Sequence, residues 1–219
     1  MTTGELTILY NPSVWTRSKC PAARATKMNF AIRCLLMWFL LLCCAVAAAQ
    51  RAAPLTLQFT PARSTLEFTL GATMHTVHGQ FNVKQGEIHF DAAGNTITGE
   101  IIVDATSGVT GVGGRDRRMH SEILETTRYP EITFQPDQVQ GTVAPHGTSA
   151  VQVHGLIGLH GAEHEVTLPV QIEMAPDHWT VTSHFVIPYI RWGLKNPNTF
   201  LLHVSPSVEV DLSASGGKP

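Results

Sequence analysis

Histidine is the residue of this chain most able to do chemistry. All eleven histidines follow residue 74, and neutral imidazole is the commonest protein ligand for metal ions. His75 and His78 lie close in sequence, and His160 and His164 flank a predicted turn, where a spacing of four has no helical meaning. No His-Glu-x-x-His motif occurs. We therefore favour structural or surface histidines, expect no metal and no cofactor, and keep a histidine-dependent metal site as the alternative.

The usual motifs of nucleophilic and nucleotide-dependent enzymes are missing from the sequence. It has no Gly-x-Ser-x-Gly elbow and no Walker-type glycine loop. The glycines at 111, 113 and 114 are better explained by a turn before a short helix. A non-enzymatic protein is the resulting expectation.

Strict alternation of apolar and polar residues predicts strands with one buried face. Leu66, Phe68 and Leu70 form one such row. Two further rows flank His160-Gly161 and predict a hairpin. About eight strands are predicted, near 55–60, 64–71, 77–90, 96–104, 131–142, 150–159, 164–174 and 179–188, with a last one near 199–212. One short helix is predicted over Asp116–Leu124. Many strands, short turns and a single small helix favour an all-β, antiparallel up-and-down barrel over a sandwich.

The N-terminal part predicts export. Lys27 and Arg33 flank Met28, and an apolar run from Cys34 ends at Ala49. These 16 residues are shorter than the roughly 20 that a membrane span needs, so residues 28–49 are interpreted as a signal peptide rather than an anchor. Residues 1–27 are interpreted as a start-site extension or a disordered segment, and 50–219 as one domain. A periplasmic or secreted protein without a stable membrane span after cleavage is expected.

The predicted domain has no disulfide and an acidic balance. All four cysteines precede residue 45, so a large core must hold the domain together. Ten basic and sixteen acidic residues after residue 49 give a net charge of −6. This charge argues against a nucleic-acid partner, because such binding depends on neutralising phosphates.

Three ordered segments resemble motifs of the YceI-like family. They are Gly79–Phe81 with Gly86–Asp91, then Gly111–Asp116 through Met119–Leu124 and Tyr129–Phe134, and finally Leu156–Gly161 with Val166–Val170. The resemblance covers most of residues 55–212. It implies a lipocalin-like barrel in the periplasm that holds an isoprenoid or another long apolar lipid, and it implies no catalytic residue. Pro61–Ser64 and Tyr189–Leu194 depart from the family pattern, which puts the ligand in doubt more than the fold.

A ligand inside the barrel would have an apolar lining and a polar mouth. From the residues alone, a small barrel is either filled by side chains or holds one ligand, and the resemblance favours the second alternative. The predicted inward residues are Phe68, Phe81, Ile88, Phe90, Ile101, Val103, Phe134, Val153, Phe185 and Ile187. At the mouth, Arg115, Arg118 and His120 could meet a phosphate or carboxylate, and Trp192 offers an aromatic lid. For Arg115 the alternative is a structural ion pair with Asp116. A packed structural or interaction domain and a possible homodimer remain open.

Overall fold

The computed structural model describes residues 55–73, 75–91, 96–198 and 203–217. Four predicted features lie outside the described residues: the predicted extension 1–27, the predicted signal peptide 28–49, most of the predicted turn at 91–95 and the start of the last predicted strand at 199–202.

Within those ranges the chain is mostly β-strand, as predicted. The strands are β1 Leu55–Phe59, β2 Ser64–Gly71, β3 Thr76–Asp91, β4 Thr96–Val109, β5 Glu131–Gln140, β6 Gly147–Leu159, β7 Ala162–Met174, β8 His178–Ile187 and β9 Val208–Gly217. A short helix, α1, spans Gly113–Arg118 and continues as a π-helical turn over Met119–Ile123.

The strands close into an eight-stranded antiparallel barrel, in which β1 and β2 together occupy one strand position. From β4 to β9 each strand pairs with the next in sequence; β9 pairs with β2, β2 with β3, and β3 with β4. The ninth strand, β1, lies beside the second half of β3, whereas β2 lies beside the first half. A 3₁₀ turn over Pro61–Arg63 joins β1 to β2, so the two strands lie end to end and act as one interrupted strand of the barrel.

Of two register irregularities between β3 and β4, the second changes which residues of β3 face the interior. Val77, Phe81 and Val83 are at least partly buried in the first half, but Ile88 and Phe90 are buried in the second half. The shift falls between Val83 and Gln85 in the pairing with β4. An extra residue at a bulge moves the inward face from odd to even numbers.

Several predicted boundaries are wrong, including the end of β4, which is Val109 rather than 104, and the end of β9, which is Gly217 rather than 212. The helix begins at Gly113, three residues before the predicted start, because Gly113 and Gly114 join its first turn. The last strand begins at Val208 rather than near 199. Pro206 lies just before it and has no N–H to donate to a ladder, and the described residues before 208 contribute only an isolated bridge between Ala72 and Val204.

The two ends of the barrel differ. At the plugged end, Phe59, Met174, Trp179 and Ala214 belong to one continuous core, and the Trp179 side chain is 1% exposed. The Trp179 ring lies so close to Gly216 that a Cβ there would approach it to 2.5 Å. The covered end carries the π-helical turn, the turn at His160-Gly161 and residues 188–198, whose Tyr189 and Leu194 form a second cluster with Ile157 and Leu159.

In the part of the chain that the structure describes, no helix has the length and hydrophobicity that crossing a membrane requires.

Candidate functional site: the barrel lumen

A cavity of about 360 Å³ runs inside the barrel. Small-molecule sites typically enclose about 300–1,000 Å³, so the lumen has room for a ligand. Every strand of the barrel contributes to the lining of the cavity. Its apolar side chains include Leu57, Phe59, Leu66, Phe68, Phe81, Ile88, Ile101, Val103, Ile132, Phe134, Val153, Ile157, Leu168, Ile172, Val181, Phe185, Ile187, Val210 and Leu212.

The cationic lining residues lie at the covered end, whereas the polar Ser183 lines the lumen from the middle of β8. His75, Thr110, Arg115 and Arg118 line the lumen at the covered end. They come from the β2–β3 turn, the end of β4 and helix α1. The lumen therefore has a hydrocarbon-like body and one cationic end.

Thr110 orients the cation nearest to this end. Arg115 Nε donates to Thr110 Oγ1 at 2.7 Å, and Arg115 Nη2 donates to the Thr110 carbonyl at 2.9 Å. The Thr110 hydroxyl and N–H both donate to Asp116 Oδ1. Among the described residues Arg115 and Asp116 form no direct ion pair: both bind Thr110 instead, so the Arg115 charge keeps donors for another acceptor.

A second cation ties the π-helical turn to the segment that covers the lumen. Lys195 Nζ donates to Glu122 Oε2 at 2.9 Å, and Arg118 Nε lies 3.5 Å from the same oxygen. The hydrogen bond and charge of Lys195, followed by Arg118, hold the pKa of Glu122 below its usual value. Leu194 and Pro197, on either side of Lys195 and Asn196, line the lumen, so this tie holds part of its cover.

Most of the apolar residues predicted to face inward line the lumen, with one exception. The nine that do are Phe68, Phe81, Ile88, Ile101, Val103, Phe134, Val153, Phe185 and Ile187. Phe90 is 4% exposed and packs in the core of the plugged end. It shares the inward face with Ile88 but lies beyond the cavity.

The predicted mouth residues separate into two groups. Arg115 and Arg118 line the lumen. His120 does not: its Nε2 donates to the Gly108 carbonyl at 2.8 Å. Trp192 lines an outer groove and stacks on His164, with ring centroids 4.2 Å apart and planes 2° apart. The structure therefore places Trp192 at the side of the barrel rather than over its end.

Several lining residues at the covered end are not predicted by the sequence pattern. Thr110, Leu194 and Pro197 lie in connections, where period-two alternation gives no signal. Met119, Ile123 and Leu124 share the apolar face of the predicted helix and line the lumen as well. The one hint in the sequence is the Thr110–Asp116 spacing around a glycine turn. Tyr189 was also missed: burial raises its pKa, and its hydroxyl donates to the Ser205 carbonyl at 2.8 Å.

The histidines of the described residues do not converge. No group of three or more His, Cys, Asp or Glu side chains in those residues could hold a metal ion. His160 packs on Tyr129, with ring centroids 4.6 Å apart, whereas His164 packs on Trp192. His154 and His184 each bind an aspartate at 2.7 Å on exposed strand faces.

A comparison with protein families matches residues 57–215 to the YceI-like domain. The chain belongs to the YceI-like family. The matched range includes every described strand except the first two residues of β1 and the last two of β9. A search of curated proteins found no match.

Solved structures share this YceI-like fold at low sequence identity. BcnA from Burkholderia cenocepacia is 15% identical with a TM-score of 0.60, over 72% of this chain and 99% of that one. A polyisoprenoid binding domain from Saccharophagus degradans, implicated in plant cell wall breakdown, is 18% identical with a TM-score of 0.57, over 76% and 99%. The YceI protein of Campylobacter jejuni is 14% identical with a TM-score of 0.54, over 67% and 88%.

Proposed function

We propose that this protein is an exported, non-enzymatic carrier that holds an isoprenoid or another long-chain apolar lipid inside its barrel. The observation that carries the proposal is the lumen: about 360 Å³ of apolar interior with arginines at one end. Each buried methylene contributes about 0.8 kcal/mol, so a long chain needs few polar contacts. The polyisoprenoid binding domain from Saccharophagus degradans, a neighbour in fold, supports this ligand class.

The cationic end suits a ligand with an acidic or polar head. Arg115 and Arg118 line the lumen beside Thr110, and guanidinium groups bind phosphate and carboxylate through paired donors. A linear ligand would therefore lie with its head towards helix α1 and its tail towards the plugged end.

Native mass spectrometry of protein purified from its source tests the proposal. A copurifying apolar molecule of at least a few hundred daltons is expected, and lipid extraction would identify it. Val153→Phe would fill part of the lumen and should reduce the bound fraction. Gln152→Phe adds the same ring on the exposed face of β6 and should not. A well-folded Val153→Phe variant with unchanged occupancy, or a bare polypeptide mass in every preparation, would contradict the proposal.

Export is supported by the basic, apolar and alanine-rich pattern of residues 28–49. N-terminal sequencing of protein recovered from outside the cytoplasm should begin at Gln50. An exported product that retains Met28 would contradict signal cleavage.

A further inference from the structure

The barrel wall is incomplete between β7 and β8 near the covered end. These strands pair only from Val170–Ser183 to Met174–Trp179, although β7 begins at Ala162 and β8 continues to Ile187. On their other sides, the same stretches remain paired with β6 and β9. We call the gap between residues 162–169 and 184–187 the split.

Pro169 explains where the β7–β8 ladder stops. Ser183 Oγ donates to the Pro169 carbonyl at 2.8 Å, so the main-chain polar groups of residue 169 face β8. The N–H and C=O of a residue in an antiparallel ladder bond to the same neighbouring strand. Proline has no N–H, and the next hydrogen bond of the ladder therefore lacks its donor.

A surface groove of about 520 Å³ lies at the split. Leu168 of β7 and Phe185 of β8 line both this groove and the lumen. Two apolar side chains, Leu168 and Phe185, therefore form part of the partition between the groove and the lumen. They do so where β7 and β8 share no ladder hydrogen bonds. Side chains can change rotamer far faster than strands separate.

Trp192 lies at the outer side of this partition. It lines the groove, stacks on His164 and packs with the cluster of Leu159, Tyr189 and Leu194. It belongs to a turn rather than a strand, so its ring can swing away without breaking the barrel ladder. The neighbouring Val186 is 55% exposed, which extends the apolar surface outward.

The barrel ends are the less favourable routes. Packed side chains around Trp179 fill one end. The other end is covered by the π-helical turn and by residues 194–197, which the Lys195–Glu122 hydrogen bond ties together.

We propose that the apolar ligand enters and leaves the lumen sideways through the split, with Trp192 as the movable gate. This inference rests on the proposed function, because it requires an apolar guest. It adds a route that neither the fold nor the lumen defines by itself. A gate changes the rates of binding and release together, whereas a lumen contact changes their ratio.

Stopped-flow fluorescence with cis-parinaric acid, on the full chain, tests the route. Trp192→Ala should raise both rate constants about three- to tenfold, the range for loss of one aromatic stack, while Kd stays within about twofold. His164→Ala removes the other half of the stack and should act in the same direction. Pro169→Val restores a donor and should slow both rates about fivefold, the effect of one net hydrogen bond.

Lys195→Ala is the matched control, because it releases the cover of the lumen without touching the split. Its exchange rates should equal those of the unmodified protein. Faster exchange in Lys195→Ala, with unchanged rates in folded Trp192→Ala and Pro169→Val, would overturn the lateral route and leave the proposed function standing. Failure of the unmodified protein to bind the probe, together with a bare mass in native spectrometry, would instead reject the proposed function.

Discussion

At the covered end of the barrel, a threonine stands between an arginine and an aspartate. Arg115 donates to Thr110, and Thr110 donates to Asp116. The cation is therefore positioned without direct neutralisation by a carboxylate. Such an arrangement suits a site that must accept an anion at intervals, because an ion pair would compete with the ligand for the same donors.

Removing the Arg115 side chain should weaken binding of an anionic ligand selectively. For Arg115→Ala we expect Kd for farnesyl phosphate to rise about tenfold, because a charge-assisted hydrogen bond is lost, and Kd for farnesol to change little. Competition against a fluorescent apolar probe measures both constants. Arg117→Ala is the control, because Arg117 is exposed on the same helix. Equal weakening of both ligands would assign Arg115 a structural role through Thr110.

His164 should make the fold less stable in acid. Burial lowers its pKa from 6.5, so the unfolded chain takes up a proton first as the pH falls. The stability that neutral His164 contributes is fully present above pH 6.5 and declines as the pH falls through 6.5 towards the lower folded pKa. Urea unfolding at about pH 7.5 and 5.5 should therefore show a smaller loss for His164→Gln than for the unmodified protein.

His154 provides the opposite control. Its hydrogen bond to Asp137 raises its pKa, so its contribution is present below the unfolded pKa and is lost as the pH rises through the folded pKa. His154→Gln should therefore steepen the loss of stability in acid. Identical pH dependence of His164→Gln and the unmodified protein would contradict the assignment to His164.

At the scale of the elements, the alternation of apolar and polar residues was enough to predict the strands, but not the position of the register shift between β3 and β4. The rows containing Phe68, Val153 and Val210 keep one period throughout, so their inward faces follow directly from the sequence. The predicted inward positions of Phe81 and Ile88 already require a change of phase within β3, but the sequence does not place it after Val83, because the bulge depends on pairing with β4. Part of the lining of the covered end, including Thr110, Leu194 and Pro197, was missed for a related reason: these side chains meet the others through tertiary packing of connections.

Gly108 shows how closely the π-helical turn packs on the barrel. A Cβ at Gly108 would overlap the Phe81 ring and would lie 2.9 Å from the Met119 side chain. Gly108→Ala should therefore destabilise the fold by about 1–3 kcal/mol through overpacking. Gly114→Ala is the control, since a Cβ at Gly114 would meet no atom within 4 Å, and it should stabilise the helix by about 0.5–1 kcal/mol. Chemical denaturation measures both, and equal effects would contradict this packing.

For the molecule as a whole, one chamber serves as both core and candidate binding site. Its lining residues also form the hydrophobic clusters that stabilise the barrel. Occupancy of the lumen and stability of the fold are therefore linked, because a ligand that binds the folded state alone adds to its stability.

Removing a bound apolar chain should lower the melting temperature. At a free ligand concentration 100 times Kd, the added stability is about 2.7 kcal/mol, which corresponds to roughly 5 °C or more for a domain of this size. Calorimetry before and after lipid extraction, followed by refilling with the same lipid, measures the change. Unchanged melting after complete extraction would show that the guest and the fold are independent.

The unpaired strand edges at the split could promote self-association of the protein. Bare strand margins can pair with the margins of another molecule, and proteins often guard them with charges. Glu165 and Arg191 border this gap, and both would lose hydration if a second chain aligned along the exposed edge. Charges at an unpaired edge disfavour strand-to-strand association, so the opening proposed for the ligand is bordered by side chains that oppose growth of a continuous sheet between molecules.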